Sequence, residues 1–204
     1  MTLPDGLSEN TPSPRDVGSQ AAANLRFIRE AMEKAGSFTA VSGRGQVAIG
    51  ATAFVAAIVA ARQPTRTRWL ETWLIEALVA MTISGFAMAA KARRNDLALF
   101  SGPNRKFWAA FTAPLVAGAV LTAAMVSSGL YNPLPGLWLL LFGTAVVTGG
   151  ALSVPLVRTM GLCFFALGAA ALICPPRFGD TMLAAGFGGL LAIFGVAIAR
   201  RHGG

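Results

Sequence analysis

From residue 46 onward the chain is a succession of apolar stretches, at 46–61, 69–90, 106–130, 137–152, 155–174 and 180–200, with Lys and Arg gathered at their ends. Nothing constrains the fold more than these stretches. Each is close to the length a bilayer core requires, the first and fourth at the short end. Backbone polar groups cannot be left unpaired in hydrocarbon, so stretches of this kind must be helices. The expectation is an all-α integral membrane bundle of six transmembrane helices. The boundary at GGALSVPLVRT is read as a tight turn, with Ser153 as N-cap and Pro155 in the first helical turn, that separates two spans. One kinked span there would reduce the count to five.

Composition agrees: 54% of residues are hydrophobic and 13% charged, against roughly 25% charged in an average soluble domain. The net charge of +8 would suit a nucleic-acid partner, but the basic residues lie where a cytoplasmic membrane face wants them, so nucleic acid is excluded as a partner. With six helices and the N-terminus inside, thirteen of the 17 Lys and Arg fall on the cytoplasmic side and four outside. That places both termini in the cytoplasm. The uncharged connection YNPLPGLW fits an outer loop, with Tyr131 and Trp138 in an aromatic belt.

Ahead of the spans, residues 1–20 are polar and Pro-rich, a tail with no cleavable signal, so insertion is expected to use an internal span. Residues 21–36 read as a cytoplasmic amphipathic helix. Leu25, Ile28, Met32 and Ala35 recur at helical spacing, with Arg26, Arg29, Glu30, Glu33 and Lys34 opposite. Arg26, Phe27, Arg29 and Met32 are its candidate contacts to the membrane surface or a partner. SFTAVSGRG follows as a flexible lead-in, with glycines 43 and 45.

The missing groups narrow the function. The one histidine is His202, at the C-terminal end, so no imidazole lies in the membrane to hold haem, pigment or metal. No mid-membrane lysine offers a Schiff base, and HExxH, GxSxG and phosphate-binding glycine loops are lacking. Asp180 is a solitary carboxylate at the start of the last span and reads as a cap. Cys163 and Cys174 are eleven positions apart, about 16 Å along a helix, and read as buried thiols. No cofactor and no catalysis are expected.

Two carboxylates interrupt the second stretch. Glu71 and Glu76 project about 140° apart on a helix, so they do not share a site. Glu71 lies near the end of the span, within reach of water or of Arg66 and Arg68. Glu76 lies in the hydrocarbon, where a carboxyl is costly and marks function by default. It is the candidate functional acid: a protonated group hydrogen-bonded to a neighbouring helix, a partner of a cation such as Arg158, or a proton or cation relay. Arg158 sits too near the inner face to pair, and the further stations a relay needs are scattered hydroxyls: Thr82, Ser84, Thr112, Thr122, Thr144 and Thr148. In the last stretch Ala184, Gly188 and Ala192 fall at i+4 steps, as do Ala185 and Gly189. This small-residue pattern predicts close helix packing, within the bundle or between copies.

In NLRFIREAMEKAGSFTAVSGRGQ, LFSGPNRKFW, PGLWLLLFGTAVVTGGALSV, GLCFFALGAAAL and AAGFGGL the chain resembles a group of bacterial six-helix membrane proteins, over nearly everything after residue 23. Those relatives read PGWGG where this chain has SGRGQ. The resemblance implies a six-helix fold in the bacterial inner membrane and brings no activity or site residues with it. The functional expectation is a non-catalytic accessory subunit or assembly factor of a larger membrane complex, in contact with lipids and other membrane-protein subunits. The alternatives are a small proton-coupled transporter or channel using Glu76, and a membrane-bound sensor acting through residues 21–36.

Overall fold

The computed structural model describes residues 20, 24–27, 42–94, 102–150 and 154–202, without the side chains of 91, 92, 94, 102–107 and 202. The chain divides into Met1–Gly36 and Ser37–Gly204. In the first unit Gln20 and residues 24–27 are helical, and Arg26 and Phe27 are exposed. Arg29, Met32 and the rest of the expected amphipathic helix lie outside the described residues, as does Ser153.

Every regular element among the described residues of the second unit is helical. They are α1 (Gly43–Ala60), α2 (Arg66–Arg94), α3 (Gly102–Ser127), α4 (Leu134–Gly149) and α5 (Pro155–Ile173). A closing rod then starts as a 3-10 turn at Pro176–Phe178. It continues through α6 (Gly179–Leu183) and a π-helical segment, Ala184–Leu190, into α7 (Leu191–His202). Five segments are long and apolar enough to cross a membrane: Gly43–Ala60, Arg66–Ala90, Trp108–Ser127, Pro155–Ile173 and Pro176–Arg201. This is a multi-pass membrane fold. The expected fourth span, α4, has 16 residues, about 24 Å of helix against a bilayer core of about 30 Å.

Local chemistry sets the helix ends. Ser42 caps α1, its hydroxyl accepting from the Gly45 amide at 3.4 Å. Glycines 43 and 45, expected in a flexible lead-in, are instead buried in the first turn of α1. At the end of α3 the Leu130 amide donates to Met125 and the Gly129 amide to Val126. Gly129 has φ +72°, the left-handed conformation that closes a Schellman turn and that only glycine adopts without cost. Pro155 opens α5, and the residue capping it is Val154, with no side-chain bond.

Two helix pairs approach backbone to backbone. A Cβ placed on Gly50 would lie 2.8 Å from the Gly188 carbonyl, and one on Gly195 would lie 2.8 Å from the Gly43 carbonyl. So α1 runs antiparallel to the closing rod. Likewise a Cβ on Gly168 would lie 3.0 Å from the Gly136 carbonyl, and one on Gly161 would lie 3.0 Å from the Gly143 carbonyl. That register makes α4 and α5 an antiparallel hairpin, not one kinked span. Thr148 of α4 reaches the Ala110 carbonyl of α3 while Trp138 reaches Thr122, so α3 is also antiparallel to α4.

The closing rod lies between α1 and the α4–α5 hairpin. Gly188 meets Phe54 of α1, whereas Gly186 faces Leu139, Leu167 and Phe164 of the hairpin. Phe164 is fully buried, and its ring lies 4.8 Å from Phe142 and 5.5 Å from Phe187. The expected stripe is thus resolved. Gly188 and Ala192 line the α1 contact and Ala184 packs at the margin of the core. By contrast Ala185 is exposed, and Gly189 has only the Ala184 carbonyl near its Cβ position. The second close approach uses Gly186 because a π turn shifts the angular register that i+4 counting assumes.

Candidate functional site

Trp69, Trp73, Glu76, Ala80, Ser84 and Ala87 recur every three or four residues on α2, so they form one stripe. Along it runs the seam with α1. Trp73 and Glu76 are buried, with 4% and 9% of their surface exposed, whereas Glu71 is exposed. Burial thus separates the two carboxylates as their angular offset requires.

Across the seam the Thr52 hydroxyl of α1 donates to Glu76 Oε1 at 2.8 Å and also lies 3.0 Å from the Ile49 carbonyl. A hydroxyl has one hydrogen, so it serves one of these acceptors at a time. With Glu76 ionised, Thr52 donates to it. With Glu76 protonated, the acid donates to Thr52, and Thr52 turns its hydrogen to Ile49. The same heavy-atom arrangement therefore satisfies both charge states of the carboxyl. Arg158, at the start of α5, is exposed. Arg66 is engaged elsewhere, donating to Asn132 Oδ1 at 2.7 Å with its guanidinium 5.9 Å from the Tyr131 ring.

One turn from Glu76 the seam becomes aromatic. The Trp69 and Trp73 indoles both donate to Asp180 Oδ1, at 2.6 and 3.4 Å. Trp69 stacks on Trp138 at 5.6 Å and 6° between planes, and the Trp138 indole donates to Thr122 at 2.9 Å. Asp180 departs from the expected cap. The residue capping α6 is Phe178, no side chain bonds there, and Asp180 instead accepts hydrogen bonds from α2. Trp138, expected in an aromatic belt, is half-buried and stacks on Trp69. An indole has one donor and must place it when buried, and a carboxylate offers the strongest acceptor.

About two turns along α2 in the other direction from Glu76, Ser42, Gly45, Gln46, Ile49, Ser84 and Ala87 line a small, partly open pocket of about 10 Å³. Gln46 Oε1 is buried there without a hydrogen-bond partner. Sequence reasoning singled out Ser84 but passed over Ser42, Gln46 and Thr52. The stripe from Trp69 to Ala87 was the available signal, since it names the face of α2 that a polar partner must meet. Most of the remaining hydroxyls are spent locally. Thr82, Thr122 and Thr144 each donate to the carbonyl one turn earlier, and Thr148 divides its contacts between Thr144 and Ala110.

Among the described residues no three His, Cys, Asp or Glu side chains converge as a metal site requires, and Cys163 and Cys174 are free thiols. The chemistry this arrangement can support is proton binding at Glu76, with the Trp73 and Trp69 indoles one and two turns away along α2 in one direction and a small polar pocket about two turns away in the other. The chain matches no protein-family model, no curated protein and no solved structure.

Proposed function

We propose that the protein is a non-catalytic accessory subunit or assembly factor of a larger membrane complex in the bacterial inner membrane. The observation that carries this reading is how its intramembrane polar groups are used. Glu76 is tied to Thr52, Asp180 to Trp69 and Trp73, and Trp138 to Thr122. Each pair joins two helices, as structural cross-links do. Arg26 and Phe27, exposed on a helical stretch of the first unit, are contacts such a partner would use, with membrane lipids around the spans.

Six crossings with both termini cytoplasmic complete the reading. Since α4 is antiparallel to both α3 and α5, a chain crossing in the same sense on α3 and α5 must return along α4. The short helix can do so by local thinning of the bilayer. The distribution of Lys and Arg supports the orientation.

The test is purification of the tagged native protein in mild detergent, followed by native mass and identification of what co-purifies. A stoichiometric larger complex that loses this protein when residues 1–36 are deleted is the expected result. Recovery as a lone monomer or homo-oligomer overturns it. A small proton-coupled transporter is the second reading, favoured by the unpaired Gln46 Oε1 in the seam that holds Glu76. Proton flux abolished by Glu76→Gln would establish that reading instead.

A further inference from the structure

We propose that Arg44 and Arg200 form a binding site for the phosphate of an anionic phospholipid, one of whose acyl chains lies in the groove between α1 and the closing rod. The proposal rests on the membrane fold and on neither reading of function above.

The two arginines come from distant parts of the chain and are brought together because glycine lets their helices touch. A Cβ on Gly43 would meet the backbone of Ala199, so Arg44 and Arg200 each follow a residue at the contact. An α-helix turns about 100° per residue, and seen from one end two antiparallel helices turn in opposite senses. Arg44 and Arg200 therefore project to the same side of the α1–rod pair. Both are exposed, and neither guanidinium bonds to another described residue.

That side is open along its length. Ala48, Ala51 and Val55 follow Arg44 at helical spacing on α1, and all are exposed. On the rod Val196 and Ile193 precede Arg200 at the same spacing and are exposed too. One turn further, a Cβ on Gly189 would meet only the Ala184 carbonyl. Two apolar stripes thus run side by side from the arginines, and their small residues leave room for a hydrocarbon chain.

Charge and depth select the occupant. Residues 43–60 of α1, 77–94 of α2 and 181–202 of the rod contain no Asp or Glu, so the helices that carry the two charges offer them no acidic neighbour at this end. Arg44 is the second residue of one membrane-length segment and Arg200 the last but one of another. That depth is the headgroup layer, where arginine side chains reach lipid phosphate. A guanidinium offers paired N–H donors that match phosphate oxygens. A headgroup with its own ammonium would bring a further positive charge to the pair, which favours a lipid of net negative charge.

The experiment is native mass spectrometry of the full chain in mild detergent, titrated with phosphatidylglycerol or with phosphatidylcholine of the same acyl chains. One phosphatidylglycerol per chain, held in clear preference to phosphatidylcholine, is the expected result. Arg44→Gln and Arg200→Gln should each weaken phosphatidylglycerol binding by roughly fivefold, the usual worth of one basic residue at an anionic lipid surface. Arg93→Gln removes an exposed charge from α2, which meets α1 at Gly45, away from the rod, and should leave binding unchanged. An equal loss from Arg93→Gln would show diffuse attraction to a basic face and overturn the proposal, as would equal binding of the two lipids. Displacement of the lipid by inorganic phosphate at equal concentration would identify a free-anion site and also overturn it. On the unmodified chain, phosphatidylglycerol with a photoreactive group within an acyl chain should label residues 48–55 or 189–196. Label confined to other helices overturns the assignment of the groove.

Discussion

The α1–rod and α4–α5 pairs hold together differently from the seams of α2 and α3. In the first two, glycines let backbones meet: Gly43 and Gly50 against Gly195 and Gly188, Gly136 and Gly143 against Gly168 and Gly161. In the others side chains meet, as where a Cβ on Gly45 would lie 2.7 Å from the Ala87 methyl and one on Gly118 3.2 Å from Leu141, and few residues of the α2 and α3 spans are buried. These two helices are joined at discrete points by Glu76–Thr52, Trp69–Asp180 and Trp138–Thr122. Without a hydrophobic driving force between helices in lipid, close van der Waals contact must supply association, and glycine permits it. Where contact is looser, a polar pair fixes register at a point.

The comparison breaks most sharply at a glycine. Gly143→Leu would drive side-chain atoms into the backbone of Phe165 and Gly161. It should cost about 3 kcal/mol or more, read as equilibrium unfolding in mild detergent. Asp180→Ala removes the acceptor of two indoles. It should cost about 1–3 kcal/mol and shift tryptophan emission as Trp69 and Trp73 reorganise. Thr52→Val should cost about 0.6 kcal/mol, the average for an interhelical hydrogen bond in lipid. Glu76→Gln retains an acceptor for Thr52, so its effect on unfolding should stay within about 0.5 kcal/mol. Gly189→Ala enters open space and should be neutral or stabilise by up to about 1 kcal/mol through helix propensity. If Gly143→Leu and Gly189→Ala behaved alike, the distinction between the two kinds of seam would fail.

Hydrophobic length and proline or glycine punctuation made most helices legible, and the burial of Glu76 relative to Glu71 was legible as an angle. The site was harder to foresee because each member needs a partner distant in the chain. Asp180 resembles a cap until Trp69 and Trp73, more than a hundred positions earlier, are found on it. Gly43 looks like a flexible lead-in until Gly195 lies against it. The π turn at Ala184–Leu190 defeated i+4 counting, so the contact of Gly186 with Leu139 was assigned to no residue beforehand.

By itself the sequence determined an all-helical membrane chain with an isolated acid on the second span, because lipid tolerates no unpaired backbone and composition shows where lipid must be. Only the tertiary structure decided what that acid touches and which indoles Asp180 holds. Those depend on which faces of antiparallel helices meet, and small residues set that by allowing approach at some faces and not at others.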